Sequence, residues 1–150
     1  MIEDGSNRST LTPINGVMGA TVFDGPELVT LPKGAGRLIA LPYPSVAGTY
    51  DPAAFVAEAR LKVQGQRVVV AGHLQVVDAP PGEESEEMGR GRDVPFPFEE
   101  CEPEWLLLGG HYHVGQSFQR KGRALHVPGS MARLTHGDAS GMPRFLIWEV

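Results

Sequence analysis

The sequence is poor in cysteine, and Cys101 is the single thiol among its 150 residues. One cysteine cannot form an internal disulfide, and it cannot supply the paired thiolates of a cysteine-rich zinc site. This scarcity excludes the small secreted domains that depend on several disulfides, and it is typical of proteins from a reducing compartment. We therefore expect a cytoplasmic protein.

Long hydrophobic runs are also missing. No apolar stretch approaches the roughly 20 residues that a membrane-spanning helix requires, and residues 1–10 lack the apolar core of a secretory signal. We therefore expect no membrane partner. The formal net charge of −5 argues against a broadly basic surface for nucleic acid, although a local basic patch is compatible with it. The sequence has no internal repeat, no phosphate-binding Gly-x-Gly-x-x-Gly and no nucleophile elbow.

Length and composition predict one α/β domain over residues 1–150. Hydrophobic residues make up 41% of the chain and charged residues 21%, as in an ordinary globular protein. The clearest helix begins at Asp51-Pro52, because aspartate is a good N-cap and proline suits the first helical position, and it ends by Gly65. Strands at residues 37–41 and 67–71 flank this helix, which indicates an α/β crossover.

Further short strands are expected on both sides of the crossover. Two of them, residues 21–23 and 27–31, form a meander with the strand at 37–41, and a turn at Lys121-Gly122 joins two others into a hairpin. The expected strands outside the crossover are residues 21–23, 27–31, 105–108, 115–119, 124–127 and 144–150. Residues 78–93, DAPPGEESEEMGRGRD, are rich in proline, glycine and charge, so we expect a mobile loop there.

The segment WLLLGGHYH at residues 105–113 joins an apolar run to two histidines. The run is short, continuous and bounded by glycine, which predicts a buried strand. Alternate residues of an extended chain share a face, so His111 and His113 should point together and Tyr112 away. A buried strand does not hide two imidazoles at low cost, so we expect both to lie just past its end.

The segment RVVVAGH at residues 67–73 repeats the pattern upstream, and His73 follows its glycine directly. Because ligands of α/β folds bind at the carboxyl ends of the strands, the three imidazoles should converge at one sheet edge. Neutral imidazole is the commonest protein ligand for zinc and related ions. The repeated pattern favours a metal site over the alternative, in which each histidine caps a strand end or bonds a backbone carbonyl.

The order and spacing of four motifs resemble the C-terminal half of calcineurin-like metallophosphoesterases, most of all the SbcD-type DNA-repair exonucleases. The likeness extends from about residue 21 to residue 150. The segments that carry it are LPYP at 41–44, VVVAGH at 68–73, LLLGGHYHVGQ at 106–116 and HVPGSMARLTHGD at 126–138.

This resemblance implies an α/β fold that is the C-terminal half of a four-layer sandwich, with two mixed β-sheets flanked by helices. It also implies two divalent metal ions, with His73 and His111 on one ion and His113 on the other. Manganese is the expected ion, and iron or zinc occurs in relatives. Two ions would clamp a phosphodiester and activate a bridging water. Three glycines should let the backbone approach the ions, namely Gly72, Gly109 and Gly110.

The remaining polar residues near these motifs have less specific expectations. Ser130 either holds a turn or touches phosphate, and Arg133 either contacts a nucleic-acid backbone or is solvated surface. Tyr112 is expected to pack. We assign His126 and His136 to structure or surface.

Three motifs of the family do not occur in this sequence: Asp-x-His, Gly-Asp-x-x-Asp, and Gly-Asn-His followed by aspartate or glutamate. In the family they supply the bridging aspartate, the asparagine ligand and the histidine that protonates the leaving group. Three imidazoles can hold zinc, but they offer no carboxylate to bridge two ions, and manganese prefers oxygen ligands. We therefore expect residues 1–150 to be a partial domain, whether a fragment, a split-gene subunit or the product of a misplaced start.

The leading hypothesis is a metal-dependent phosphoesterase of the DNA exonuclease type that acts on DNA or another phosphodiester. It needs an N-terminal half for activity, is inactive alone, and has an SbcC-like ATPase as a further partner. The alternative is a non-catalytic split or degenerate subunit that binds a partner. A third reading is a mononuclear zinc hydrolase with three histidines, in which Asp78 or Asp138 acts as general base.

Overall fold

The fold is described from a computed structural model, which covers residues 16–43, 50–76, 94–130 and 146–147. Within these ranges the chain forms one six-stranded sheet and one α-helix, α1, at Pro52–Lys62. The strands are β1 Glu27–Thr30, β2 Arg37–Leu41, β3 Val68–Gly72, β4 Leu106–Gly109, β5 Gln116–Arg120 and β6 Arg123–Val127. Their order across the sheet is β1-β2-β3-β4-β6-β5.

The sheet is mixed, with a parallel centre and antiparallel edges. Strands β2, β3, β4 and β6 run parallel, whereas β1 and β5 pair antiparallel with β2 and β6. Helix α1 connects β2 to its parallel neighbour β3, so the expected α/β crossover is confirmed. Parallel pairing brings the carboxyl ends of β3 and β4 to the same edge, and this edge carries the Gly-His segments.

The start of helix α1 follows from its first two residues. Asp51 precedes it in an extended conformation, and its Oδ1 accepts hydrogen bonds from the backbone N–H groups of Ala53 (2.9 Å) and Ala54 (3.2 Å). These bonds satisfy two of the donors that a helix N-terminus leaves without partners. Val56 and Ala59 point into the core, so α1 covers one face of the sheet.

The two faces of the sheet differ in burial. One residue of each strand contributes to a row of six side chains in the core, and we call their side the core face: Leu28, Ile39, Val70, Leu107, Leu125 and Phe118. The residues between them point the opposite way. This second face includes five apolar side chains that remain half-buried: Val29, Leu38, Val69, Leu106 and Leu108.

The predicted N-terminal meander is wrong in one strand. Residues 21–23 are not in a strand, and a bend at Asp24-Gly25 separates them from β1. Among the described residues β1 is the edge strand of the sheet, and a run of three residues is at the short limit of strand length and forms few ladder hydrogen bonds. The expected strands at 27–31, 37–41, 67–71, 105–108, 115–119 and 124–127 are present, with ends shifted by no more than one residue.

Other expectations fall outside the described residues. The loop at 78–93, Arg133, His136 and most of the strand expected at 144–150 lie there. The α/β class is confirmed, whereas the second sheet of a four-layer sandwich is not shown by the described ranges. In those same ranges no helix has the length and apolar character needed to cross a bilayer.

Candidate functional site

Two imidazoles meet where β3 and β4 end. His73 directly follows Gly72, and His111 follows β4 after Gly110. Two backbone bonds hold these chain ends in place: His73 N–H donates to the carbonyl of Leu41 (3.1 Å) and Gly110 N–H to that of Gly72 (3.0 Å). The centroids of the two histidine rings are 5.3 Å apart, and the rings are nearly perpendicular at 87°. The structure thus brings together two of the three predicted ligands.

The surroundings of His73 favour its neutral imidazole. Partial desolvation lowers the pKa of His73, and the neighbouring His111 and His113 lower it further. Nδ1 of His111 is buried and has no hydrogen-bond partner within the described part of the chain. A buried polar atom without a partner is costly, and a metal ion is one group that would satisfy it. Neutral imidazole is also the form that binds metal.

The third histidine, His113, is exposed and lies against the turn that follows β6. The backbone N–H of Ser130 donates to the carbonyl of His113 at 2.8 Å. Gly129 has a φ of +86°, and a Cβ on it would lie 2.7 Å from the same carbonyl oxygen. Only glycine fits this approach, so the Pro-Gly-Ser turn packs beside the Gly-His-x-His segment.

Tyr112 anchors the segment that carries His111 and His113. Its hydroxyl accepts a hydrogen bond from the N–H of Val76 (2.9 Å) and donates one to the carbonyl of Val76 (3.1 Å). The ring is buried in the core and lies 5.5 Å from that of Phe118. Tyr112 therefore packs, as predicted, and ties the histidines after β4 to the chain that follows His73.

The three glycines of the site differ in what they contact. A Cβ on Gly72 would lie 3.3 Å from Cβ of Leu41, and one on Gly109 would lie 3.0 Å from Cγ2 of Val127. Core packing alone therefore accounts for the small residue at both positions. A Cβ on Gly110 would instead lie 3.3 Å from Nδ1 of His73, so this glycine leaves room beside the imidazole.

Tyr43 is an additional residue at the site, and its role was not predicted from the sequence. Its ring lies 5.9 Å from that of His73, edge to face, and is 44% exposed. The signal was its position two residues beyond β2, because β2 is parallel to β3 and ends at the same edge. His126, by contrast, pairs across strands with Ser117, whose Oγ is 3.1 Å from His126 Nδ1, which agrees with a structural or surface role.

The donor set is compatible with a metal but is not complete. No three His, Cys, Asp or Glu side chains in residues 16–43, 50–76, 94–130 and 146–147 form a group that could hold an ion. Catalytic zinc has three protein ligands and structural zinc has four, so His73 and His111 require further donors. No protein-family model matches the sequence, and the search of curated proteins finds no match either.

Proposed function

We propose that this chain contributes the histidine side of a metal-dependent phosphoesterase site of the DNA exonuclease type. The observation that supports this most is the meeting of the His73 and His111 rings, 5.3 Å apart, at the ends of adjacent parallel strands. The buried Nδ1 of His111, without a partner among the described residues, also supports the proposal. The order of motifs that resembles SbcD-type exonucleases supports the substrate class, DNA or another phosphodiester.

The residues have distinct roles in this proposal. His73 and His111 hold one divalent ion through neutral imidazole, and His113 holds the second ion. When bound, two manganese ions, or iron or zinc, supply Lewis-acid stabilisation and a water of lowered pKa. Tyr112 positions His111 and His113 through its two bonds to Val76. The turn at Ser130 contacts the backbone of His113. Arg133 is proposed to contact the phosphate backbone.

Carboxylate ligands are proposed to come from an additional N-terminal half-domain. Hard ions such as manganese prefer oxygen donors, and the histidine pair brings none. The second face of the sheet supports the same idea, because its five half-buried apolar side chains offer a surface for another layer. Covering this face with a second sheet would complete a four-layer sandwich. An SbcC-like ATPase is the further partner that the resemblance implies.

The second face also favours another candidate function, a non-catalytic subunit that binds a partner through this surface. Both candidates use the same interface, but they differ in whether the complex turns over a phosphodiester. The observation that favours the partner-binding subunit is the partial exposure of apolar side chains on β2, β3 and β4.

Metal binding by the 150-residue chain tests the histidine assignment. We would titrate zinc and manganese by calorimetry into the wild type and into His73→Gln, His111→Gln and His113→Gln. The matched control is His126→Gln, since His126 pairs with Ser117 on another part of the sheet. We expect weak zinc binding that His73→Gln and His111→Gln each reduce at least about tenfold, as for loss of one ligand, and that the control retains. Equal losses in all variants would refute the assignment.

Turnover distinguishes the two candidate functions. Manganese-dependent hydrolysis of bis(p-nitrophenyl) phosphate and of single-stranded DNA would be measured for the chain alone and with the N-terminal half of an SbcD-type phosphoesterase. We expect no hydrolysis alone and rescue by the added half, with His113→Ala abolishing the rescue. A stable complex without turnover would favour the partner-binding subunit. Hydrolysis by the chain alone that His73→Ala removes would instead establish a three-histidine hydrolase.

A further inference from the structure

A cavity of about 340 Å³ lies at the opposite edge of the sheet from the histidines. Its walls come from the end of β1 and from the starts of β2 and β3. The residues that line it are Thr30, Arg37, Gln66 and Arg67, together with the turn at residues 34–36. Six residue steps of extended chain separate Arg67 from His73, so the cavity is about 20 Å from the histidine site.

The polar residues of this cavity carry mainly hydrogen-bond donors. Two arginines, a glutamine and a threonine line it, and none of the described residues that line it is acidic. The side-chain amide of Gln66 already donates to the carbonyl of Lys62. Nε of Arg37 is buried and lacks a hydrogen-bond partner in the part of the chain that the structure describes. A charged donor in this state is costly, because it has lost water and gained no acceptor. An anion with several acceptor oxygens would satisfy it.

A backbone hydrogen bond joins the chain segments that carry the two arginines. Arg37 N–H donates to the carbonyl of Arg67 at 2.8 Å, because Arg67 immediately precedes the residue that pairs with Arg37. Gly36 has a φ of +139°, and a Cβ there would lie 2.5 Å from that carbonyl oxygen, so no other residue fits.

We propose that this cavity binds the phosphate group of a small phosphorylated compound. Guanidinium groups bind phosphate through two parallel N–H bonds each, and the two arginines that line the cavity match its double negative charge. The volume falls at the lower end of the range for small-molecule sites, roughly 300–1,000 Å³, so it holds more than an isolated phosphate ion. The site is separate from the histidine pair and does not depend on the proposed phosphoesterase function.

Phosphate titration of the 150-residue chain tests the proposal. Ribose 5-phosphate and inorganic phosphate would be added at constant ionic strength, and the amide resonances of Thr30, Gly36 and Arg67 followed by NMR. Arg37→Gln and Arg67→Gln should each weaken ribose 5-phosphate binding at least about tenfold, as expected for a charged hydrogen bond. Lys121→Gln is the matched control, because Lys121 lies in the distant turn between β5 and β6 and its ammonium pairs with Glu99. It should leave affinity unchanged.

Three further outcomes separate this site from its alternatives. Arg37→Lys keeps the charge but loses the planar fork, so partial weakening supports the proposed geometry. Tighter binding of ribose 5-phosphate than of inorganic phosphate identifies an organic phosphate as the ligand, whereas equal affinity identifies the free ion. His73→Gln should leave phosphate binding intact even if the phosphoesterase proposal fails. Losses as large in Lys121→Gln as in Arg37→Gln, or resonance shifts elsewhere, would overturn the proposal.

Discussion

Replacing Tyr112 by phenylalanine removes one hydroxyl and keeps the aromatic ring. The hydroxyl makes two hydrogen bonds, 2.9 and 3.1 Å long, both with the backbone of Val76, which is buried. A buried donor or acceptor that loses its partner costs about 1–3 kcal/mol, and here one residue loses both partners together. We therefore expect Tyr112→Phe to lower the free energy of unfolding by about 2–3 kcal/mol.

Urea denaturation followed by the fluorescence of the buried Trp105 would measure this change. The matched control is Tyr43→Phe, because Tyr43 is 44% exposed and no hydrogen bond of its hydroxyl is observed among the described residues. Its effect should stay within about 0.5 kcal/mol, as for an ordinary surface substitution. Hydrogen exchange of the Val76 amide adds a local readout, and Tyr112→Phe should accelerate it well beyond the global loss of stability.

The same substitution should make the positions of His111 and His113, which flank Tyr112, less well fixed. Tyr112 is the link between the segment after β4 and the segment after β3, so zinc affinity should fall although no ligand is changed. If Tyr112→Phe alters stability no more than Tyr43→Phe does, and Val76 stays protected, then the hydroxyl does not hold these segments together and the reasoning is wrong.

Three other predictions concern the site and the helix. Gly110→Ala should weaken zinc binding with little change in the urea midpoint, because the new Cβ would lie 3.3 Å from Nδ1 of His73; an unchanged zinc affinity would contradict this. Asp51→Ala should lower the free energy of unfolding, measured in urea, by about 1 kcal/mol because the N-cap is lost. Asp51→Asn should keep most of the stability that the cap provides. The folded-state pKa of His73 lies below the unfolded value of about 6.5, so the unfolded chain binds more protons between the two. The contribution of His73 to the free energy of unfolding should therefore be fully present above about pH 6.5 and be lost as the pH falls through the folded pKa. His73→Gln should flatten this pH dependence. An identical slope in the variant would exclude His73 as its source.

Local patterns in the sequence predicted the elements around the site. Asp51-Pro52 predicted the helix start because capping is a contact between near neighbours, and the apolar runs that stop at glycine predicted β3 and β4. The Lys121-Gly122 turn was also correct, and both residues have positive φ. The meeting of the two Gly-His segments was predicted from the repeated pattern of a strand followed by Gly-His, because parallel strands end at the same edge of a sheet.

Contacts between distant segments were not predictable in the same way. The sequence indicated that Tyr112 packs, but not that its hydroxyl bonds Val76, which is 36 positions away. The cavity beside Arg37 and Arg67 was missed too, although both residues directly precede or begin strands that pair in parallel. The expected strand at residues 21–23 failed for a related reason, since pairing with β1 is a contact between separate segments and three residues form few ladder hydrogen bonds.

The half-buried second face and the histidine site lie on the same side of the sheet. Along β3, Val69 and Ala71 point to the second face, and the alternation continues to His73. The contact distance from a Gly110 Cβ to the His73 ring agrees, because Gly110 continues the alternation that places Leu108 on that face. A layer that buried this face would therefore reach the open side of the His73 imidazole. If the proposed function is correct, one partner would therefore bury the apolar side chains and complete the ligand set, by presenting an apolar surface with oxygen donors at its edge.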